Sequence, residues 1–389
     1  MALNNDGNPF VGPPLVGPAV AGHSLGSQPL AGDPPAAAGH GAGYSGGDRP
    51  ITRVAGSVYA ALDLGTNNCR LLIARPSPDG FRIVDAFSRI VRLGEGLSSS
   101  GRLGEPAIAR TMSALAVCRD KMEARGVGRT RLIATEACRA AANGPDFLAQ
   151  VKDRLGLDLE IVDRETEAFL AAAGCAALAD PRAKAILLFD IGGGSTEIVW
   201  LADCCPDTGR KGLHDRVRLW TSLPLGVVSL AEKYGGQEVT PETYQAMVDH
   251  VAAELADFAE EAQTEMRCDN FHLLGTSGTV TTVAGVYLGL TRYDRRRVDG
   301  LWMCSDDVDK AIDHLRGMSY GQRAGNGCIG SERADLVLAG CAIFDAIRQA
   351  FPSAGVRIAD RGLREGLLMQ MMSVDGVWRA GAARNGTGS

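Results

Sequence analysis

Apolar and polar positions fall into the same order at two places in the chain. Ala185 to Trp200 reads AILLFDIGGGSTEIVW: an apolar run ends on Asp190, Gly192, Gly193 and Gly194 follow, and Ser195 and Thr196 lead into a second apolar run. The pattern predicts a strand, a glycine turn and a returning strand. Val58 to Arg75, VYAALDLGTNNCRLLIAR, has the same grammar, with Asp63, Gly65, Thr66, Asn67 and Asn68 at its turn. Either passage alone fits a β-hairpin. Two of them, with Asp63 and Asp190 standing 127 residues apart, predict a duplicated α/β unit whose turns face one ligand across a cleft.

The intervening pattern alternates strands and helices, which points to a layered α/β fold. Strands are expected over Phe81–Val91, Arg131–Thr135, Leu159–Val162, Phe271–Leu274 and Val356–Ala359, and a strand and turn over Arg218–Leu230. Glu105-Pro106 opens a helix through Ile108, Met112, Leu115 and Val117, and another runs over Asp146–Leu155. Asp163-Arg164-Glu165-Thr166-Glu167 begins an alanine-rich helix that reaches Leu178. Thr240-Pro241-Glu242 opens a helix whose stripe of Tyr244, Met247, Val248, Val251, Leu255 and Phe258 reads as core, with Thr240 its cap. Gly275-Thr276-Ser277-Gly278-Thr279 is a small-residue turn before an apolar helix, and further helices are expected from Ser331 and over Asp360–Met372.

Composition narrows the class. The 389 residues are 45% hydrophobic and 22% charged, ordinary for a globular protein, and the net charge of −6 argues against an overall electrostatic grip on nucleic acid or an anionic membrane. No apolar run approaches membrane-spanning length and the N-terminus lacks a signal-peptide pattern, so a cytoplasmic location is expected. Ten scattered cysteines without C-x-x-C spacing indicate neither a zinc site nor a disulfide framework; most are expected to be buried thiols. Residues 1–50 hold 11 glycines, 8 of the 17 prolines and four charged residues; the segment to residue 56 is expected to be disordered and the Gly-rich end from residue 379 flexible.

Several residues carry candidate chemistry. An ionised Asp190 between apolar residues needs a metal ion, a donor or an open cleft. Gly192, Gly193 and Gly194 give the backbone extra conformational freedom and let a ligand approach its amide groups. Acidic residues in a first helical turn, such as Glu165, follow from the helix dipole. Arg292, Arg295, Arg296 and Arg297 form the densest basic run, either a solvated face or a strip that guides a polyanion.

The motifs ALDLGTNNCRLLI, VRLGEGL, IATEACRAAAN, RETEAFLAAAG, LLFDIGGGSTEIVWL, TSLPLGVVSLAE, LLGTSGTVTTVAGV, RADLVLAG and DRGLREGLL, in this order, resemble the exopolyphosphatase and guanosine pentaphosphate phosphohydrolase family. The resemblance runs from about Val58 to Met372 and implies duplicated actin-like, ribonuclease H-like α/β domains of the sugar kinase, heat-shock chaperone and actin superfamily. It implies a first domain over 57–166 plus 361–378, a second over 167–360, the short form of the family, and a homodimer. The implied activity is Mg²⁺-dependent removal of a terminal phosphate by water, from polyphosphate first, or from guanosine pentaphosphate. Binding of guanosine tetraphosphate as a sensor is a third reading; no nucleic-acid site and no membrane partner are expected.

Carried over by motif, Glu167 resembles the general base and Asp190 a metal- or water-positioning carboxylate. Asp63, with Asp190, resembles a metal ligand, and Glu197 an outer metal position. Thr66, Asn67, Arg92, Gly192, Gly193, Gly194, Ser195, Gly275, Ser277 and Arg333 resemble phosphate-holding positions. Two positions depart from the family pattern: Phe169, where an arginine is common, and Asp299, where a histidine is common. If the basic run guides polyphosphate, replacing Arg292, Arg295, Arg296 and Arg297 by serine raises the KM for long-chain polyphosphate about tenfold more than that for a short substrate; equal effects on both would dismiss the strip.

Overall fold

The repeat seen in the sequence reappears as strand order. The structure, a computed structural model, describes residues 57–78, 80–202, 216–265 and 270–378; the segments 1–56 and 379–389, expected to be disordered and flexible, lie outside the described residues. β1 (Tyr59–Leu64), β2 (Asn68–Ser77), β3 (Gly80–Ile90), β4 (Arg129–Ala134) and β5 (Glu160–Ile161) form one sheet in the order β3-β2-β1-β4-β5. β6 (Ala185–Ile191), β7 (Thr196–Ala202), β8 (Val217–Leu223), β9 (Phe271–Thr276), β10 (Trp302–Cys304) and β11 (Gly355–Ala359) form the other, in the order β10-β11-β9-β6-β7-β8.

In the first sheet β1 lies antiparallel to β2 and parallel to β4, which is parallel to β5. In the second, β6 lies antiparallel to β7 and parallel to β9, which is parallel to β11. Starting from the hairpin, the two sheets have one order and one set of directions, with β10 added at the edge of the second. This is a duplicated actin-like α/β fold. The repetition holds at single-residue level: Asp63 is opposite Arg70 across the first hairpin, and Asp190 is opposite Glu197 across the second.

Each sheet has an apolar face that explains its sequence. Leu62, Leu71 and Ile73 pack against Met112, Leu115 and Phe147, while Leu187, Phe189 and Trp200 pack against Met247, Val251, Leu255 and Phe344. The stripe expected on the helix Pro241–Glu265 is buried throughout, and Thr240 accepts the Thr243 N–H at 3.2 Å. Among the described residues no helix is long and apolar enough to cross a membrane. Of the described cysteines all are free, and all but Cys304 are buried.

Two helices run between the sheets. Arg164–Cys175 turns Leu170 toward Tyr59, Ala61 and Leu72 of the first sheet, and Ala168, Ala172 and Cys175 toward Ile186, Leu188 and Val199 of the second. Its alanines follow from that sandwiching, since larger side chains would separate the layers. Leu363–Val374 crosses it so closely that a Cβ on Gly174 would lie 1.9 Å from the Gly362 carbonyl oxygen, and one on Gly366 would lie 2.0 Å from that of Leu170.

The element boundaries differ from expectation where tertiary bonds intervene. The alanine-rich helix ends at Cys175 and continues only as a 3₁₀ turn over Ala176–Leu178. A helix over Val227–Tyr234 stands where only strand and turn were expected; its first amides donate to the carbonyls of Gly192 and Gly193 at 3.0 and 2.8 Å, so it is anchored by the glycine turn. The helix expected from Ser331 starts at Val337. The last starts at Leu363 rather than Asp360, because the preceding Arg361 carbonyl accepts from the Thr276 hydroxyl and the Gly362 N–H is capped by Glu365. Gly366→Val should destabilise the protein by about 3 kcal/mol through overpacking, read from the urea midpoint; an unchanged midpoint would show that the two helices can part.

Candidate active site

The two hairpin turns close on each other because of the residues at their tips. A Cβ on Gly193 would stand 3.0 Å from the Asn67 nitrogen and from the Thr66 Cβ, and one on Gly194 would stand 2.6 Å from the Thr66 hydroxyl. Neither Gly192, Gly193 nor Gly194 has positive φ. Gly193 and Gly194 are required by the approach of the opposite turn, and Gly192 by its own turn, where a Cβ would stand 2.7 Å from the Ser195 carbonyl oxygen; none is required by left-handed backbone. A cavity of about 120 Å³ opens beside this contact.

Asp63, Thr66, Asn67, Glu167, Asp190, Gly192, Gly193, Gly194, Ser195, Glu197, Ser277 and Arg333 all line that cavity. Asp63 and Asp190 come from the ends of β1 and β6, Glu197 from β7, and Glu167 from the first turn of the helix Arg164–Cys175. Two expected residues are elsewhere. Gly275 lies behind the lining, where a Cβ would meet the Phe189 ring at 2.6 Å. Arg92 lines no part of the cavity: its guanidinium makes a two-pronged bond to Asp335 at 2.8 and 2.9 Å and a further bond to the Glu332 carbonyl.

Burial dominates the electrostatics. Asp190 is pushed up to about 6 by desolvation, with the Asp63 charge adding to the shift and Arg70 opposing it. Glu197 is pushed up to about 7 by desolvation and by Asp190, although Ser195 and Ser222 hydrogen bonds oppose the shift. Desolvation also raises Asp63, against Arg70 and Arg364. Glu167 is raised well above the ordinary carboxylate range by desolvation and by Glu197, with Arg139 pulling the other way. Four carboxylates thus share a space with too little positive charge to hold them ionised.

That imbalance of charge suits a divalent cation. Mg²⁺ takes oxygen ligands, one or two carboxylates supplemented by phosphate oxygens and water. Asp63 and Asp190 carry no hydrogen bond from a described residue and both face the cavity, so the donor set suits such an ion. Among the described residues no three acidic, histidine or cysteine side chains are gathered tightly enough to hold a metal unaided. The arrangement therefore suits an ion that substrate and water help to ligate.

Two more polar atoms at the cavity lack a protein partner, Asn67 Oδ1 and Ser277 Oγ. Ser277 also has φ 98°, a costly conformation for a residue with a Cβ, held at the start of the helix Gly278–Tyr287.

Sequence reasoning found Arg333 but missed two further arginines, Arg70 and Arg364. Arg70, Arg333 and Arg364 line an adjoining hollow of about 450 Å³ that shares Asp63 and Asp190 with the first cavity. Neither Arg70 nor Arg364 is taken by an acceptor among the described residues, whereas Arg295 and Arg361, which also line the hollow, are paired with Glu365 and Asp299. A signal for Arg70 was present: it follows Asp63 by seven residues, as Glu197 follows Asp190. Of the basic run, Arg292, Arg296 and Arg297 are exposed and Arg295 is turned into the hollow. Of the two departures, Asp299 holds Arg361, and Phe169 packs edge-on against Trp220 at 6.3 Å.

Repeated hairpin turns that close on buried carboxylates, on an actin-like scaffold, define an enzyme of the phosphate-handling class. The chain belongs to the Ppx/GppA phosphatase family, whose model matches residues 72–374, and is a hydrolase of that family. It is similar to Exopolyphosphatase 2 of Mycobacterium tuberculosis, 29% identical over 338 residues that cover 82% of this chain and 99% of that protein. It is also similar to the Guanosine-5'-triphosphate,3'-diphosphate pyrophosphatase of Photobacterium profundum, 27% identical over 81% of this chain and 59% of that protein. The crystal structure of the Aquifex aeolicus Ppx/GppA family member superposes with a TM-score of 0.65 at 28% identity, covering 82% of this chain and 98% of the other.

The buried acids set a pH dependence. The folded pKa of Asp190 lies above its unfolded value, so the native protein binds this proton more tightly and stability falls as pH rises toward about 6 and stays lower beyond. In chelator, the wild type should be less stable at about pH 8 than at about pH 5, and Asp190→Asn should narrow that gap by on the order of 2 kcal/mol. Denaturant midpoints at the two pH values check this, and an undiminished gap in the variant would show that Asp190 is not held against its charge.

Proposed function

We propose that the protein is an exopolyphosphatase that releases orthophosphate from the end of an inorganic polyphosphate chain. The observation that carries this reading is the pairing of the acid cavity with the arginine-lined hollow across Asp63 and Asp190. A linear polyanion extends from one into the other, its terminal phosphate among the carboxylates and the next phosphates against Arg70, Arg364 and Arg333. Five arginines line the hollow beside its apolar residues, which suits a polyanion, and similarity to an exopolyphosphatase over nearly the whole length of that relative supports the same choice.

Glu167 accepts the proton of a water whose oxygen attacks the terminal phosphorus; the bridging P–O bond breaks, orthophosphate leaves, and the chain is one phosphate shorter. The raised proton affinity of Glu167 suits it to take that proton near neutral pH. Backbone N–H groups of the two turns, with the Thr66, Ser195 and Ser277 hydroxyls and Asn67, hold the terminal group in line. A Mg²⁺ ion held by Asp63 and Asp190, with Glu197 behind them, would neutralise charge on the phosphate oxygens. The same residues serve guanosine pentaphosphate, and similarity to the Photobacterium profundum pyrophosphatase supports that second reading.

The test is Mg²⁺-dependent phosphate release from long-chain polyphosphate and from guanosine pentaphosphate side by side, with Glu167→Gln as the control. Polyphosphate should be the faster substrate, and Glu167→Gln should lower turnover by about a thousandfold while binding persists. Faster release from guanosine pentaphosphate would reassign the substrate. Tight binding of guanosine nucleotides with turnover of neither would make the protein a sensor.

A further inference from the structure

Among the described residues, one side chain, Arg139, hydrogen-bonds to the carboxylate of the proposed base. The helix Glu136–Ala140 follows β4 directly, and β4 ends level with β1, since Leu64 is opposite Ala134. This brings Arg139 beside the start of the helix that carries Glu167. Its Nη1 donates to the Val162 carbonyl at 2.6 Å, just before the capping residue Asp163, and its Nη2 donates to Glu167 Oε2 at 3.1 Å. Glu136 grips the same guanidinium through Oε2, at 2.6 Å from Nη2 and 3.1 Å from Nε, and its Oε1 accepts from Arg164 at 3.0 Å. Glu136 and Arg139 are both largely buried.

We infer that Arg139 is a positioning residue: it pins one oxygen of Glu167 so that the other faces the cavity and the attacking water, and Glu136 holds Arg139 in that pose. The inference rests on the reading of Glu167 as base. Three observations carry it. Arg139 is the donor to the Glu167 carboxylate among the described residues, and it leaves Oε1 without a protein donor. The terminal torsion of a glutamate is broad, so an unpinned carboxylate would sample many orientations and only a fraction would point at the water. One planar guanidinium fixes both the start of the helix and the side chain on its first turn, a geometry that a point charge cannot reproduce.

The charges serve the same end. Arg139 and Arg164 face Glu136 and Glu167, two cations against two anions. Glu136 keeps Arg139 in its orienting pose, while desolvation and Glu197 hold the Glu167 proton affinity above the ordinary carboxylate range despite the Arg139 bond.

Steady-state polyphosphate hydrolysis by Arg139→Ala, Arg139→Lys and Glu136→Gln, beside Glu167→Gln, tests the inference. Arg139→Ala should lower kcat about a hundredfold with KM changed by less than about twofold, and millimolar guanidinium should restore part of the rate. Arg139→Lys and Glu136→Gln should each lose about tenfold in kcat with KM held. A raised KM with kcat kept would make Arg139 a substrate ligand and overturn the inference. So would loss of kcat that guanidinium does not restore and lysine does not lessen, accompanied by a lower melting temperature, since that is the mark of a structural role. If Arg139→Ala does not fold, the lysine and Glu136→Gln variants decide in the same terms. An active Glu167→Gln would instead remove the base reading itself, whatever the arginine variants do.

Discussion

Burial of Asp63, Glu167, Asp190 and Glu197 in one cavity is the constraint on which the rest of this structure depends. Each carboxylate alone opposes folding, because it leaves water for a space with few donors, and Asp63, Asp190 and Glu197 raise the proton affinity of their neighbours. They stay together because they are fixed to elements that fold for other reasons. Asp63 and Asp190 lie at the ends of strands whose remaining residues are almost wholly buried apolar, and Glu167 begins a helix sandwiched between two sheets. The cores hold in place a set of charges that would otherwise separate.

The duplicated topology turns that constraint into a cleft. Each repeat brings one strand-end aspartate and one turn, and facing the repeats toward each other sets the two aspartates on a common wall between an acid cavity and an arginine-lined hollow. The position opposite the aspartate has diverged between copies, to Arg70 in the first and Glu197 in the second. One hairpin thereby supplies a cation facing the hollow, and the other adds a further anion to the acid side. Chemical asymmetry arises from symmetric folding.

Several bonds tie the two halves across this cleft at a distance from the acids. Arg92, with φ 47°, reaches Asp335, and the Gly96 N–H donates to Glu232 at 2.8 Å. A partly exposed ion pair such as Arg92–Asp335 contributes little net stability. The effect of these bonds is geometric: they fix how closely the turn after β3 approaches the helix Val227–Tyr234 and the segment that precedes the helix Val337–Ala350.

The repeat itself was legible in the sequence, because an aspartate followed after one apolar residue by glycine, between two apolar runs, is uncommon enough to be seen twice. The stripe of the helix Pro241–Glu265 was legible because its period matches one helical face. The helix Val227–Tyr234 was hidden: its short apolar run also fits a strand, and what settles it is a pair of bonds to Gly192 and Gly193 from another part of the chain. Glu136, Arg139 and Arg364 were hidden for a related reason. A lone charged residue in a helical passage has a default surface reading, and only the neighbour it meets decides otherwise. By itself, then, the sequence determined the duplicated α/β plan, its family and most of the acids, since these follow from local periodicity and motif order. Tertiary structure alone decided that Arg92 meets Asp335, that Arg70 and Arg364 are unengaged and that Arg139 grips Glu167. Such pairings depend on distances between segments far apart in the chain, which no local pattern encodes.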